Sequence, residues 1–231
     1  MREERPFASG LEKKDILLGG IYLPFHILAL PQLLELLGAR NAWLTPGWES
    51  VIWYGLGFVY LVAVLFRWLR EQFLQACDHV GTVLWNVAGA YALYYFLALG
   101  AQYLLTLLGA DPAANPNNAG LLSLTGQDYR FVRAIALFVA PVVEEVLFRG
   151  IVFGALRERS RLLALAASIG LFALYHLWRY AAAGDFSALI YGIQYIPASL
   201  VLCLCYERTG SIWTAVLFHM VNNFVGYAAL G

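Results

Sequence analysis

The sequence predicts an all-α polytopic membrane protein with about seven transmembrane helices and the active site inside the bundle. Three observations predict this fold class. The 231-residue chain is 61% hydrophobic and has a mean hydropathy of +0.66. It is only 13% charged, whereas soluble domains are about a quarter charged. Uncharged stretches close to the ~20 residues that cross a bilayer recur along the whole chain.

The gaps between charged residues define the predicted spans. The first covers residues 16–34, and Pro24 and Pro31 predict that it is kinked or broken. The others cover 50–66, 81–109, 129–156, 162–180, 186–206 and 210–230. We expect a single membrane domain over residues 1–231. Within it, residues 1–127 form additional N-terminal spans and residues 128–231 form a motif-bearing catalytic core.

Basic residues in the short loops predict the orientation of the chain. Ten of them fall in one set of loops and four in the other, which puts the N-terminus in the cytoplasm. Arginine far outnumbers lysine, and with the abundant Ala, Leu and Gly this is typical of a GC-rich prokaryotic genome. We therefore expect an integral protein of a prokaryotic cytoplasmic (inner) membrane. The formal net charge of zero does not indicate a nucleic-acid partner.

The fourth predicted span carries three charged residues in its apolar core: Glu144, Glu145 and Arg149. Each ionisable side chain at bilayer depth costs a few kcal/mol, so such residues usually face a bundle interior. Glu145 and Arg149 are one helical turn apart with the acid first, which favours an ion pair. Glu144 is left over, and a buried glutamate can accept and return a proton. The alternative is that all three form a network that only holds helices together.

Polar residues in two later spans favour a functional site. His176 lies in the fifth span, and His219 lies in the seventh with Asn223 one turn later on the same helix face. A lone histidine in an apolar helix is more often a packing residue than a catalyst. Two histidines on different helices at similar depth instead indicate a shared site with Glu144.

Three short patterns carry a resemblance to a known family. The segments "EEVLFR", "FALYH" and "HMVNN" fit the patterns EExxxR, FxxxH and HxxxN, in this order on successive late spans. Over residues 128–231 the chain resembles the CPBP family of type II CAAX prenyl endopeptidases and bacterial bacteriocin-processing and self-immunity proteins. The resemblance implies an intramembrane endopeptidase. Its substrate would be a peptide or protein, such as a C-terminal or leader segment, reached among membrane lipid.

The family motifs correspond to four catalytic positions, Glu144, His176, His219 and Asn223. The resemblance and the chemistry of hydrolysis together assign Glu144 as the base and His176 as a residue that holds the same water. His219 and Asn223 would donate hydrogen bonds to the carbonyl oxygen. Glu145 and Arg149 would support this site by fixing the helix and balancing charge.

Other interpretations of these residues remain open at the level of sequence. Glu144, His176 and His219 could form a zinc set with an open fourth position, although the HExxH helix of common zinc proteases is absent. We favour the metal-free interpretation, with zinc as the alternative cofactor. A small proton- or ion-coupled transporter and a non-catalytic membrane scaffold are the competing function classes.

Overall fold

The structure is a computed structural model that describes residues 7–124 and 129–230. This part of the chain forms helices and contains no β-strand. Five helices are long and apolar enough to cross a membrane by length and composition: Lys13–Gly38, Pro46–Asp78, Val80–Leu107, Arg161–Ala182 and Phe186–Thr209. They correspond to the first, second, third, fifth and sixth predicted spans. The prediction of an all-α polytopic membrane protein is therefore confirmed.

The α-helices follow one another along the chain as α1 Lys13–Pro24, α2 Leu30–Gly38, α3 Pro46–Asp78, α4 Val80–Leu107, α5 Pro116–Leu124, α6 Tyr129–Ala134, α7 Ala140–Glu145, α8 Gly154–Arg157, α9 Arg161–Ala182, α10 Gly192–Thr209 and α11 Ile212–Leu230. The π-helical segments Phe25–Ala29, Ile135–Val139 and Val146–Phe153 join α1 to α2, α6 to α7, and α7 to α8. A 3₁₀ turn, Phe186–Tyr191, precedes α10.

The fourth and seventh predicted spans are also helical. The fourth consists of α6, α7, α8 and the π segments between them, and it contains the charged residues Glu144, Glu145 and Arg149. The seventh is α11, which carries His219 and Asn223 among apolar residues. These polar side chains lower the apolar character of both helices, so the count of seven membrane crossings stays a prediction.

The predicted interruption of the first span takes the form of a π-helical segment, Phe25–Ala29, within a continuous helix, and it has a specific cause. Pro31 has no backbone N–H, so it cannot donate to a carbonyl in the preceding turn. In the π segment before it, the N–H of Leu30 bonds to the carbonyl of Phe25. The next carbonyl, that of His26, would then face the proline nitrogen. Trp53 Nε1 of α3 donates to this carbonyl instead, at 2.9 Å, and so fixes α3 beside the break.

The bundle buries its polar centre and exposes apolar side chains. Every residue of α7 is buried, including both glutamates. On α4, by contrast, Trp85 is 80% exposed and Phe96 is 74% exposed. An apolar outer surface around buried charges suits a lipid surrounding, in which polar groups must be satisfied inside the protein.

Glycines let the helices around α7 approach closely. A Cβ atom added at Gly57 of α3 would lie 3.0 Å from His26 Cε1 and 3.3 Å from Val143 Cγ1. A Cβ at Gly150, after α7, would lie 2.9 Å from the Trp68 ring of α3. Gly150 therefore lies at a close contact between helices. Gly57 likewise lies at a close contact, between α3 and α7.

We expect Gly57→Val to destabilise the bundle, because its side chain would push α3 away from α7. Overpacking of this kind costs typically ~1–3 kcal/mol. Gly55→Val is the matched control on the same helix, since nothing lies within 4 Å of a Cβ at that position. Thermal unfolding of both variants in detergent measures the difference. Equal midpoints for the two variants would contradict close packing at Gly57.

Candidate active site

Helix α7 places two carboxylates at the centre of the bundle. Glu144 is 4% exposed and Glu145 is fully buried. Consecutive residues of a helix point in directions about 100° apart, so the two side chains meet different neighbours. Glu144 contacts α3, and Glu145 contacts Arg149. Both lie close to α11 through His219.

The predicted ion pair between Glu145 and Arg149 is confirmed. Arg149 Nη1 donates to Glu145 Oε1 at 3.0 Å, and both side chains are fully buried. Arg149 Nη2 donates to Ser199 Oγ of α10 at 2.7 Å. The guanidinium also lies over the ring of Phe172, 4.2 Å from its centroid. These contacts compensate the burial of the cation and join α7, α9 and α10.

His219 contacts both carboxylates of α7. Its Nδ1 lies 2.7 Å from Glu145 Oε1, and its Nε2 lies 3.8 Å from Glu144 Oε2. An ionised carboxylate only accepts hydrogen bonds, so Nδ1 of His219 carries a proton and donates to Glu145. This contact fixes the orientation of the ring and aims Nε2 at Glu144. The sequence pattern indicates only Arg149 as a partner of Glu145, and the contact with His219 was not predicted.

Two tyrosines hold the other oxygen of Glu144. Tyr54 OH of α3 donates to Glu144 Oε1 at 2.8 Å, and Tyr175 OH of α9 donates to Tyr54 OH at 2.8 Å. Neither residue was predicted from the sequence. A buried phenol usually needs a hydrogen-bond partner. The position of Tyr54 within an apolar span was therefore the one feature of the sequence that could have indicated a polar contact there. Tyr175 directly precedes the histidine of "FALYH".

His176 lies at the edge of this cluster. Its Nδ1 donates to the carbonyl of Phe172 at 2.8 Å, which leaves Nε2 for other contacts. Its ring stacks on Tyr195 with centroids 4.4 Å apart. The Phe172 ring lies 4.6 Å from His176 and 6.1 Å from His219. The ring of Phe172 therefore neighbours both predicted histidines.

The side chain of Asn223 bonds to a backbone carbonyl beside α7. Pro141 lacks an N–H, and the preceding Ala140 N–H bonds to the carbonyl of Ile135. The carbonyl of Ala136 would therefore face the proline nitrogen. Asn223 Nδ2 donates to this carbonyl at 2.9 Å. This bond joins α11 to the segment before α7, a contact that the sequence did not predict. The amide of Asn223 has a second N–H, which remains available.

A zinc site needs three protein ligands grouped around one point. Among residues 7–124 and 129–230, no three His, Cys, Asp or Glu side chains are grouped so that they could hold a metal ion. Glu144 and His219 are adjacent, but His176 does not complete a three-ligand group with them as the side chains stand.

A buried carboxylate lies beside an imidazole inside a bundle of apolar helices, an arrangement that suits a membrane-embedded hydrolase. Residues 127–225 match the family described as "Type II CAAX prenyl endopeptidase Rce1-like". The Bacillus subtilis (strain 168) protein "Putative membrane peptidase YdiL" is 26% identical over 190 residues, which cover 75% of this chain and 70% of that protein. No solved structure shows a significant match. The family match over residues 127–225 and this relative together support the CPBP family and a CAAX-type membrane endopeptidase.

We expect Arg149→Ala to lower stability strongly, because it leaves Glu145 as a buried charge without its cation. Breaking a buried pair costs about 3–5 kcal/mol. Arg67→Ala is the control, since Arg67 pairs with Glu12 at 4.0 Å where the side chains are 79% and 55% exposed. Such surface pairs contribute about 1 kcal/mol or less. Folded yield and thermal unfolding measure both. A stable but inactive Arg149→Ala protein would instead place Arg149 among the groups that contact substrate.

Proposed function

We propose that the chain hydrolyses a peptide bond within the membrane, with a water molecule that Glu144 activates. One observation carries this proposal. Tyr54 holds Glu144 Oε1, while Glu144 Oε2 faces His219 Nε2 across 3.8 Å. A separation above 3.5 Å between two polar atoms suits a water molecule that bonds to both. A water in this position would have a base on one side and an imidazole on the other.

The proposed reaction needs only groups that the chain supplies. Glu144 accepts a proton from the water as the water oxygen bonds to the carbonyl carbon of the peptide. His176, whose ring shares the neighbour Phe172 with His219, is the proposed second residue that holds this water. Glu144 then gives the proton to the peptide nitrogen, the C–N bond breaks, and an acid and an amine leave. The glutamate returns to its carboxylate form, as a general base must.

His219 and Asn223 are the proposed donors to the oxyanion. Glu144, Glu145 and Arg149 together carry one net negative charge, so a protonated His219 makes the buried cluster neutral. Its Nε2–H could then donate to the carbonyl oxygen as negative charge develops there. The second N–H of Asn223 is the other proposed donor, with the first held by Ala136.

The proposed substrate is a membrane-bound peptide or protein, cut in a C-terminal or leader segment and reached through lipid. This follows from the family, whose description names CAAX prenyl endopeptidases, and from the apolar surface around the site. We propose further that the protein resides in a prokaryotic cytoplasmic membrane with its N-terminus in the cytoplasm. The excess of basic residues in one set of loops supports this orientation.

Glu144→Gln should abolish cleavage, because an amide cannot take the proton from water. Loss of a general base lowers the rate typically ~100- to 10,000-fold. The assay uses quenched fluorescent peptides in lipid vesicles, with and without a prenylated cysteine three residues from the C-terminus. Glu71→Gln is the matched control, since Glu71 is an exposed residue of α3. Equal cleavage by the two variants would contradict the role of Glu144.

Exhaustive chelation should leave cleavage intact, because the proposed mechanism uses no metal. Metal analysis of the purified wild type should then find less than stoichiometric zinc. His219→Ala should lose activity without any change in metal content. Cleavage that disappears with the chelator and returns with zinc would assign His219 as a ligand and overturn this mechanism, while leaving the endopeptidase assignment in place.

A further inference from the structure

We propose that Tyr54 is a positioning residue for Glu144, and that Tyr175 acts through it. The Tyr54 hydroxyl would fix Oε1 of the carboxylate, so that Oε2 alone faces the reacting water. This inference rests on the proposed function of Glu144 as the base. It assigns a role to α3, which lies outside the segment 127–225 that matches the family.

The direction of the hydrogen bonds supports this role. Because an ionised carboxylate only accepts, Tyr54 must donate its single hydroxyl proton to Glu144 Oε1. The oxygen of Tyr54 is then free to accept, and Tyr175 OH donates to it at 2.8 Å. The chain therefore runs in one direction, from Tyr175 through Tyr54 to Glu144. Hydrogen bonds in such chains polarise and strengthen one another.

The tyrosine pair is held by close packing. The Trp53 ring lies 4.9 Å from the ring of Tyr54 and 5.9 Å from that of Tyr175. The buried His26 ring lies 5.9 Å from Tyr54 and 6.3 Å from Tyr175. One turn beyond Tyr54, Gly57 brings α3 within van der Waals contact of α7. The hydroxyl thus has little freedom to leave Glu144.

The two oxygens of Glu144 consequently meet different neighbours. Oε1 accepts from Tyr54 at 2.8 Å, and Oε2 lies 3.8 Å from His219 Nε2. Without the tyrosine hydroxyl, the carboxylate can rotate and either oxygen can turn away from the water. Position matters here because a base must lie within hydrogen-bond reach of the proton that it accepts.

The first test is Tyr54→Phe, which removes one oxygen atom and keeps the ring. The probe is the fluorescent peptide that the wild type cleaves faster, prenylated or not. We expect kcat to fall about 10- to 100-fold, as for a lost hydrogen bond to a charged group, with KM unchanged within about twofold. Tyr60→Phe is the control on the same helix, since its hydroxyl bonds to the Leu18 carbonyl at 3.3 Å. Thermal unfolding of both should resemble that of the wild type.

The second test measures coupling between the tyrosines. If Tyr175 acts only through Tyr54, Tyr175→Phe should lower kcat by itself and have no further effect in Tyr54→Phe. Additive effects would overturn this chain of action. The positioning role would be overturned if Tyr54→Phe had the same kcat as Tyr60→Phe. It would also be overturned if Tyr54→Phe had a raised KM and an unchanged kcat. Cleavage by Glu144→Gln at the wild-type rate would instead overturn the proposed function itself, so the two failures are distinguishable.

Discussion

Glu145 Oε1 accepts hydrogen bonds from Arg149 and His219, and the rest of the site depends on this one oxygen. A charge at bilayer depth is stable only when it is compensated. Here the same contact that compensates Arg149 also orients the imidazole toward Glu144. Ser199 and the Phe172 ring complete the surroundings of the cation. The structure thus uses the ion pair both to bury charge and to orient the residues around the proposed water.

Prolines couple the backbone to the packing around this cluster. Pro31 and Pro141 each follow a π-helical segment and each leave one carbonyl without an N–H in its own helix. Trp53 supplies the missing donor in the first case, and Asn223 does so in the second. Both donors come from other helices and both lie beside site residues. The carbonyl that each proline leaves without a donor therefore accepts a hydrogen bond from a neighbouring helix, and this bond fixes that helix.

Much of the fold and part of the site follow from sequence patterns. Charge gaps located the helices, and the four-residue spacing of Glu145 and Arg149 predicted their pair, because both signals depend only on helix periodicity. Contacts between distant helices have no such period. The bonds from Tyr54 to Glu144 and from His219 to Glu145 join residues 90 and 74 positions apart, and the sequence does not indicate them.

The full length of α3 is another feature that the sequence pattern does not predict. Charged residues after position 66 ended the second predicted span. The helix is kinked at this point, with φ −107° and ψ 17° at Leu65, and continues beyond the kink to Asp78. Gln72 is buried in this extension, where its side chain accepts from the N–H of Ile212 at 2.9 Å and its carbonyl accepts from Ser211 Oγ at 2.7 Å. Gln72 therefore satisfies a free N–H at the start of α11. This tertiary contact joins the end region of α3 to the start of α11, and local composition does not indicate it.

Glu145 has two roles that can be tested together, since it balances the charge of Arg149 and orients His219. The double variant Glu145→Leu with Arg149→Met tests them most directly, because replacing a buried ion pair by apolar residues of similar size often leaves stability unchanged. Thermal unfolding should resemble that of the wild type. Peptide cleavage should fall roughly 10-fold or more, as when the partner that orients a functional histidine is lost. A folded double variant that cleaves at the wild-type rate would contradict the claim.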